Sequence, residues 1–578
     1  MGYMKKYHEW LENPIIDNAT KEELRSIAEN EKEIEDRFYK DLEFGTAGLR
    51  GVIGAGSNRM NLYTLGKATQ GLANYIIKQG KEAMEKGVAI AYDSRHMSPE
   101  FAERAALVLN GNGIKAFLFS ELQPTPVLSF TIRHLGTISG IVITASHNPS
   151  EYNGYKVYWE DGAQVALERA NGITGEIDRI NDFNQIKALD RKEALEAGLL
   201  NVIGEEVLKA YIDRVVALSL NPDIIKGSGK DLKIIYTPLH GSGNKPVRRV
   251  LKETGFENVA VVPEQEQPDP DFSTVGYPNP EERRVFELAI KMAQNSGNDT
   301  DIIVGTDPDC DRVGVIVKDD LGEYIALNGN QIGVLLVDYI LGSMKRSGRL
   351  LQDGVIIKTV VTSKLGEKIA QSYGVEVINT LTGFKFIGER MKEFEETGSH
   401  TFLFGYEESY GYLAGDFVRD KDAVSATLLI CEMAAWYKSK GMSLYEGLLE
   451  LWERHGYFCE GLKSMEMEGK AGMRKIRKLM RGLRDNPPRL LSGKKVSIID
   501  DYQEGKSYNL LEGTAGDIEL PASDVLRYTI EDDSRFAIRP SGTEPKIKLY
   551  FSVRGQDLGD ARERLQRLKD DVTKHIEN

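Results

Sequence analysis

Three times in this chain an apolar run, a helical stretch and a second apolar run lead to a further apolar run that stops at a short polar motif. In the first round Val88–Tyr92 ends in Asp93-Ser94-Arg95, Ser98-Pro99 opens a helix with proline at its first position, and residues 115–120 read as the next strand. Ile141-Val142-Ile143 closes that round and delivers Thr144-Ala145-Ser146-His147-Asn148-Pro149. The second round starts at 232–236, with the loop Thr237-Pro238-Leu239-His240-Gly241. A helix through Val247, Val250 and Leu251 and a strand at 259–262 follow. It closes with 301–305 running into Thr306-Asp307-Pro308-Asp309-Cys310-Asp311-Arg312. The third has strands at 355–357 and 375–378, a helix over 365–373, and 402–404 running into Gly405-Tyr406-Glu407-Glu408-Ser409-Tyr410-Gly411. Alternation of this kind predicts α/β units with substantial parallel pairing. Ligands sit at the carboxyl ends of strands in open sheets of that type, so one polar motif per round suggests a shared cleft.

The flanks read differently. Residues 11–40 carry a helix signature, with Thr20 and Glu23 as a capping box and Leu24, Ile27 and Ile34 as a partial apolar face. Phe44-Gly45-Thr46-Ala47-Gly48-Leu49-Arg50-Gly51 is a glycine-dense loop with one arginine, a composition that lets backbone N–H groups approach a ligand. Beyond the third round, Arg474, Lys475, Arg477, Lys478, Arg481 and Arg484 interleave with apolar residues, the pattern of a solvated helix face, and Asn486-Pro487-Pro488 ends it. Strands at 496–499 and 536–538, the loop Arg539-Pro540-Ser541-Gly542-Thr543-Glu544-Pro545-Lys546, a strand at 547–553 and a terminal helix predict a smaller α+β domain.

A chain of 578 residues exceeds what one core supports, and length alone suggests about four domains. The formal charge of −14 argues against generic nucleic-acid binding but leaves room for an anionic small molecule held by local cations. No apolar run approaches the roughly 20 residues that span a bilayer, so no membrane association is expected. Met1-Gly2-Tyr3-Met4-Lys5-Lys6-Tyr7-His8-Glu9-Trp10 turns acidic and polar instead of entering an apolar signal region, and Lys at position 6 breaks a myristoylation pattern. Cys310, Cys431 and Cys459 have no metal-ligand spacing, which fits a reducing, cytoplasmic setting.

Each polar motif carries its own chemistry. Ser146 presents a hydroxyl beside the imidazole of His147. Asp307, Asp309 and Asp311 alternate, so on an extended segment their carboxylates would converge, and three adjacent anions call for a hard divalent cation. The EF-hand pattern fails, because Arg312 and Lys318 stand where that loop needs Gly and Glu. Asp309-Cys310-Asp311-Arg312-Val313 also fits the pattern of aspartate-nucleophile phosphatases, with Asp309 as nucleophile and Ser146 incidental. Arg539 to Lys546 supplies a guanidinium, hydroxyls, a glycine backbone and an ammonium for phosphate. Glu407 and Ser409 offer polar partners for hydroxyl-rich ligands, with Arg419-Asp420-Lys421-Asp422 downstream.

The ordered set of Thr-Ala-Ser-His-Asn-Pro, Asp-x-Asp-x-Asp-Arg, Gly-x-Glu-x-Ser and Arg-Pro-Ser-Gly-Thr-Glu-Pro resembles the α-D-phosphohexomutase superfamily, most of all its longer phosphoglucomutase and phosphopentomutase branch. That resemblance implies three related mixed-sheet α/β domains (1–205, 206–324 and 325–454) and a C-terminal α+β, TATA-binding-protein-like domain (455–578) around one cleft. It implies an isomerase of carbohydrate metabolism that exchanges glucose 1-phosphate and glucose 6-phosphate. Ser146 would be the phosphoserine, and one Mg²⁺ per chain would be held by Asp307, Asp309, Asp311 and a Ser146 phosphate oxygen. Glucose 1,6-bisphosphate would be primer and intermediate. Arg312, Thr382, Gly383, Glu407 and Ser409 would bind the sugar phosphate, and Arg539, Ser541, Gly542, Thr543 and Lys546 the phosphate not being transferred. His147, Lys156, Lys421 and Arg50 complete the expected catalytic set, with Lys421 ahead of Lys156 as proton shuttle.

The same superfamily leaves open phosphopentose, mannose phosphate or glucose-1,6-bisphosphate synthesis as the activity. The other classes are the Asp309 phosphatase and a non-catalytic sugar-phosphate sensor. No partner beyond the phosphosugar is expected, with the chain a monomer or homodimer. Tyr410 stands where many relatives place Gly directly after the Ser of the sugar motif.

Overall fold

The computed structural model describes residues 2–45, 48–297, 299–466, 469–540 and 546–577. The chain forms two compact units, Met1–Gly329 with Ile387–Leu444, and Asn330–Phe386 with Tyr445–Asn578. No described helix is long and apolar enough to cross a membrane.

The first unit opens with three short helices, Gly2–Glu12, Asn18–Ser26 and Glu31–Phe38, where the sequence suggested one helical stretch. Pro14 lies in the first break, where it can neither donate a backbone N–H nor sit inside a helix. The cap of the second helix is Asp17, whose carboxylate accepts from the Thr20 backbone and hydroxyl. Thr20 is therefore capped and does not itself cap. Glu23 turns away to pair with Arg37 and accept from the Ala55 N–H.

Behind these helices lies a six-stranded sheet in the order Gly48–Val52, Tyr152–Trp159, Ser139–Ile143, Val88–Tyr92, Ala116–Phe119, Leu200–Ile203. The last four strands are parallel, joined by helices as the apolar pattern predicts. Tyr152–Trp159, however, returns antiparallel to Ser139–Ile143, with Ile143 opposite Tyr155. The Ser146 motif is thus the turn between a strand and its own return strand. Helices Leu62–Lys78 and Ser98–Gly111 bury Leu65, Leu72, Ile76, Phe101 and Leu109 with Ile90, Ile141 and Val157 of the sheet.

A five-stranded sheet repeats the scheme, in the order Tyr324–Leu327, Val313–Lys318, Ile302–Thr306, Ile234–Thr237, Val259–Val261. Three strands are parallel, and Val313–Lys318 is the antiparallel return after the aspartate motif. Thr401–Glu407 and its return Gly411–Ala414 frame the third motif in the same way. Helix Ala423–Ser439, capped by the Asp422 carboxylate, follows and is buried over most of its length. The sequence reading found the delivering strands and missed the return strands. Tyr152-Asn153-Gly154-Tyr155-Lys156 alternates polar and apolar residues only weakly, and a glycine in it disguises the period.

In the second unit Gly354–Thr359 and Glu376–Thr380 pair in parallel beside helix Lys364–Ser372. The C-terminal part is an antiparallel sheet in the order Tyr457–Glu466, Lys546–Gly555, Arg535–Pro540, Leu526–Ile530, Lys494–Asp501, Lys506–Asn509, Thr514–Asp517. Helices Gly469–Asp485 and Leu558–Glu577 contribute Ile476, Met480, Leu483, Leu568 and Val572 to its core with Ile538 and Leu549. This is the α+β domain the sequence predicts. Arg474, Lys475, Arg477, Lys478 and Arg481 are exposed, as expected for a solvated face, whereas Arg484 is partly buried and pairs with Asp501 and Asp524.

Burial pushes the Glu460 carboxyl of this unit up to about 7, against a hydrogen bond from the Ser363 hydroxyl that works to lower it. The folded chain then keeps a proton that the unfolded chain has released between pH 4.5 and 7, so stability falls as pH rises through that window. Glu460→Gln fixes the neutral form. We expect its melting temperature to match the parent near pH 4.5 and to exceed it at pH 8, by the equivalent of about 1–3 kcal/mol. Thermal melts across that range check this.

Candidate active site

The wholly buried strand Ser139–Ile143 carries the chain to Ser146, whose backbone lies in the left-handed region at φ 53°. The turn is locked locally, the Ser146 N–H donating to Thr144 Oγ at 2.8 Å and the Asn148 N–H to the Ala145 carbonyl at 3.1 Å. Ser146 Oγ donates to Asp307 Oδ2 at 2.9 Å and lies 3.2 Å from His147 Nδ1. Arg50, on the neighbouring edge strand, donates to Asn148 Oδ1 at 3.0 Å and so holds the loop from its far side.

The aspartates meet through a turn, and not through an extended segment as their alternation suggested. The Cys310 N–H closes on the Asp307 carbonyl at 2.9 Å, with Cys310 itself at φ 51°. Asp307 Oδ1 accepts from the Asp311 and Arg312 backbone, each at 3.0 Å. One carboxylate oxygen from each of Asp307, Asp309 and Asp311 lies within 4.8 Å of the others, and all three residues are buried. Asp309 Oδ1 and Asp311 Oδ1 have no hydrogen-bond partner among the described residues. A hard-oxygen donor set with two orphaned buried oxygens fits a divalent cation.

Cations of the chain surround this cluster. Lys156 Nζ lies 2.8 Å from Asp309 Oδ2 and 3.7 Å from Asp311 Oδ2. Lys421 Nζ lies 3.2 Å from Asp311 Oδ2 and 3.4 Å from Asp420 Oδ1. Arg312 Nη1 donates to Glu281 Oε1 at 2.5 Å. Burial, reinforced by Asp309 and Asp311, pushes the Asp307 carboxyl well above the usual carboxylate range. Burial acts on Asp309 in the same direction, but the Lys156 ammonium wins and holds it low. Burial alone would lower both lysines; Asp309 and Asp311 hold Lys156 protonated, and Asp311, Asp420 and Glu407 do the same for Lys421.

Glu407 ends its strand 4% exposed, and burial raises its carboxyl against the pull of Lys421, while Ser409 hydrogen-bonds to it. Tyr410 takes the tip of the turn at φ 64°, and its carbonyl accepts from the Val313 N–H at 3.2 Å. That contact ties the sugar motif to the aspartate motif. Gly411 is the position that needs glycine, because a Cβ there would stand 2.2 Å from Lys421 Cδ.

Ser146, His147, Arg50, Lys156, the three aspartates, Arg312, Glu407, Ser409 and Lys421 thus form one connected site in the first unit. Thr382, Gly383, Arg539 and Lys546 belong to the second unit. There Gly383 adopts φ 121°, Thr382 Oγ1 is buried without a hydrogen-bond partner among the described residues, and Lys546 Nζ lies 3.8 Å from Glu466. Ser541, Gly542 and Thr543 lie outside the described residues.

Three contributors escaped the sequence reading. Thr125 donates its backbone N–H to the Asp309 carbonyl at 2.9 Å and its hydroxyl to Asp309 Oδ2 at 3.1 Å. Asp420 accepts from Tyr158 Oη at 2.7 Å, anchoring the Lys421 segment. Arg95 holds carbonyls of the Ser146 loop. The proline-flanked Pro124-Thr125-Pro126, just beyond the strand predicted at 115–120, was the available signal for Thr125.

Sequence profiles described as phosphoglucomutase/phosphomannomutase match in order: α/β/α domain I at residues 41–183, domain II at 209–322, domain III at 328–455 and the C-terminal domain at 494–575. A phosphoglucomutase of Staphylococcus haemolyticus is 39% identical over 519 residues, 90% of this chain and 91% of the relative. One from Staphylococcus aureus is 36% identical over 552 residues, 95% and 97% of the two chains. Among solved structures, the open form of the Paramecium phosphoprotein parafusin, a phosphoglucomutase, superposes with a TM-score of 0.68 at 19% identity, covering 93% of this chain and 95% of that one. A phosphoglucomutase/phosphomannomutase family protein of Burkholderia thailandensis gives 0.63 at 18% identity, covering 92% and 96%. Four ordered domain matches and close relatives along nearly the whole length make this chain a member of the phosphoglucomutase/phosphomannomutase family.

Proposed function

We propose that this enzyme interconverts glucose 1-phosphate and glucose 6-phosphate, with phospho-Ser146 as donor and glucose 1,6-bisphosphate as the intermediate. The observation that carries the reading is Ser146 Oγ, 2.9 Å from a carboxylate of a buried aspartate triad whose other members pair with Lys156, Lys421 and Arg312. A serine in acyl transfer needs an adjacent base oriented by a third group. Here His147 Nδ1 lies 3.2 Å from Ser146 Oγ, but the hydroxyl donates to a carboxylate of the triad, which supports a phosphate carrier over an acyl-transfer nucleophile.

Asp307, Asp309 and Asp311 would hold Mg²⁺ together with a phosphate oxygen on Ser146. The ion, when bound, neutralises charge on the transferring group and fixes its orientation. Lys156, Lys421 and Arg312 supply further positive charge where the transition state spreads negative charge over the phosphoryl oxygens. Glu407 and Ser409 take sugar hydroxyls. Arg539, Ser541, Gly542, Thr543 and Lys546 take the phosphate that stays on the sugar, in either of two orientations of the bisphosphate. The accepting hydroxyl must lose its proton. Lys421 Nζ stands first for that role, beside Asp311 and Asp420, and Lys156 Nζ second. Carboxylates hold both as ammonium, so either must first give up its own proton to solvent, once those carboxylates engage another cation, before its amine can take the proton of the accepting hydroxyl.

Intact-mass measurement of bisphosphate-treated enzyme should show one added phosphoryl group, absent from Ser146→Ala. That variant should lose activity by about 10⁴-fold or more, the scale on which loss of a covalent nucleophile is felt. A fully active Ser146→Ala would sink the reading. In a coupled assay glucose 1-phosphate should give the highest kcat/KM, ahead of mannose 1-phosphate and ribose 1-phosphate.

Metal dependence is separable from turnover. Mg²⁺ at about 100 times its Kd should stabilise the parent by about 2.7 kcal/mol in thermal melts. Asp309→Asn should lose that shift, and chelation should abolish parental activity reversibly.

A further inference from the structure

The Ser146 loop closes around the side chain of Arg95. Arg95 Nη1 donates to the carbonyls of Pro149 at 2.7 Å and Tyr152 at 3.0 Å. Nη2 donates to the Ser146 carbonyl at 2.6 Å and to the Asn148 carbonyl. Four carbonyls of one turn thus converge on a single guanidinium that is 2% exposed. Asp93 lies alongside, its Oδ2 3.3 Å from Arg95 Nε and its Oδ1 accepting from the Arg95 N–H and from Ser98 Oγ.

The other face of the guanidinium is covered from the second sheet domain. The Phe272 ring centre is 4.9 Å from the guanidinium carbon, and Phe272 is itself fully buried at φ 47°. The same segment sets Tyr277 edge-on to the His147 ring at 5.7 Å and Asp271 Oδ1 2.7 Å from His96 Nε2. The loop bearing the serine is therefore gripped from beneath by Arg95, and Arg95 is gripped by a segment of the domain that carries the aspartates.

Physical reasons make this more than filling. A left-handed serine is strained backbone and persists only where its surroundings over-determine it. Carbonyl dipoles turned toward one point also repel unless a cation sits there. Arginine offers five donors in a rigid fork, whereas a lysine ammonium offers three from one atom and cannot span acceptors from residue 146 to residue 152.

We propose that Arg95, clamped by Asp93 and Phe272, is the positioning residue for phosphoryl transfer: it fixes the Ser146 backbone so that Oγ points at Asp307, and so keeps the phosphoryl group in line with the sugar and away from water. The proposal rests on the phosphoserine reading of Ser146. In productive transfer the Oγ–P bond breaks as the sugar hydroxyl oxygen bonds phosphorus, and the proton that hydroxyl gives up is matched by the one the departing Ser146 Oγ takes up. In the leak a water oxygen takes that place, leaving free Ser146 and inorganic phosphate.

The test uses the full chain with Mg²⁺, charged with glucose 1,6-bisphosphate, as parent, Arg95→Lys and Phe272→Leu. Four quantities are measured: the phosphorylated fraction by intact mass, kcat per phosphorylated molecule, KM, and inorganic phosphate released per turnover. Misplacement of a reacting group by about 1 Å costs about 100-fold, so Arg95→Lys should lose about that factor in kcat with KM within about threefold. Its phosphate release per turnover should rise about tenfold or more, and Phe272→Leu should move both quantities the same way by a smaller factor. Parental kcat per phosphorylated molecule, or parental phosphate release, in Arg95→Lys would overturn the proposal, whatever its melting temperature. If Arg95→Lys fails to fold, the same two results in Phe272→Leu decide. A parent that never carries phosphate overturns the reading of Ser146 and is distinguishable from both.

Discussion

Three buried aspartates with one carboxylate oxygen apiece within 4.8 Å of one another can all stay ionised only beside positive charge, and that constraint organises the first unit. Lys156 comes from the first sheet domain, Arg312 from the aspartate turn itself, and Lys421 from the segment after the third motif. Each lysine is placed by hydrogen bonds around it, Lys156 by strand pairing and Lys421 through Tyr158 and Asp420. The Ser146 hydroxyl joins the same cluster. Demand for charge balance thus draws together loops that lie more than a hundred residues apart in the chain. A group that brings both negative charge and a hydroxyl, such as a sugar phosphate, meets a site already arranged around those two needs.

The repeating plan supplies rigidity where that cluster needs it. Each motif is a short turn between a strand and its antiparallel return strand. A turn pinned at both ends by sheet hydrogen bonds can hold strained backbone, and Ser146, Cys310 and Tyr410 all sit in the left-handed region at those turns. A loop leading into a helix would be pinned at one end by the sheet and at the other only by packing.

Much of this was legible in the chain itself. Ser146, the three aspartates, Glu407 and the Arg539 loop declare themselves because hydroxyls, carboxylates and guanidinium groups stand out against β-branched strands. Val88–Tyr92 matches the apolar run to the residue, since a fully buried parallel strand is a continuous apolar run. Arg95 was visible as a residue but not as a clamp. Its partners are backbone carbonyls, which every residue has, so no letter of the sequence records them. Thr125 was hidden for the same reason in part, as half of its grip on Asp309 is backbone to backbone. The convergence of the aspartates was foreseen for the wrong reason: alternation suggested an extended strand, whereas a turn with a left-handed Cys310 brings them together. The Thr20 capping box failed because Asp17, three residues earlier, is the better acceptor and faces the same N–H groups.

The return strand after Ser146 sets a limit on how this loop can change over time. Along Tyr152–Trp159, Tyr155, Val157 and Trp159 enter the apolar core, while Lys156 and Tyr158 face Asp309 and Asp420. Side chains alternate with a period of two, so adding or deleting one residue between Ser146 and Tyr152 would swing Lys156 into the core and Tyr155 into the charged cluster unless a bulge absorbed it. Residues in this loop can be exchanged one for another, but its length is held by the parity of the strand that follows it.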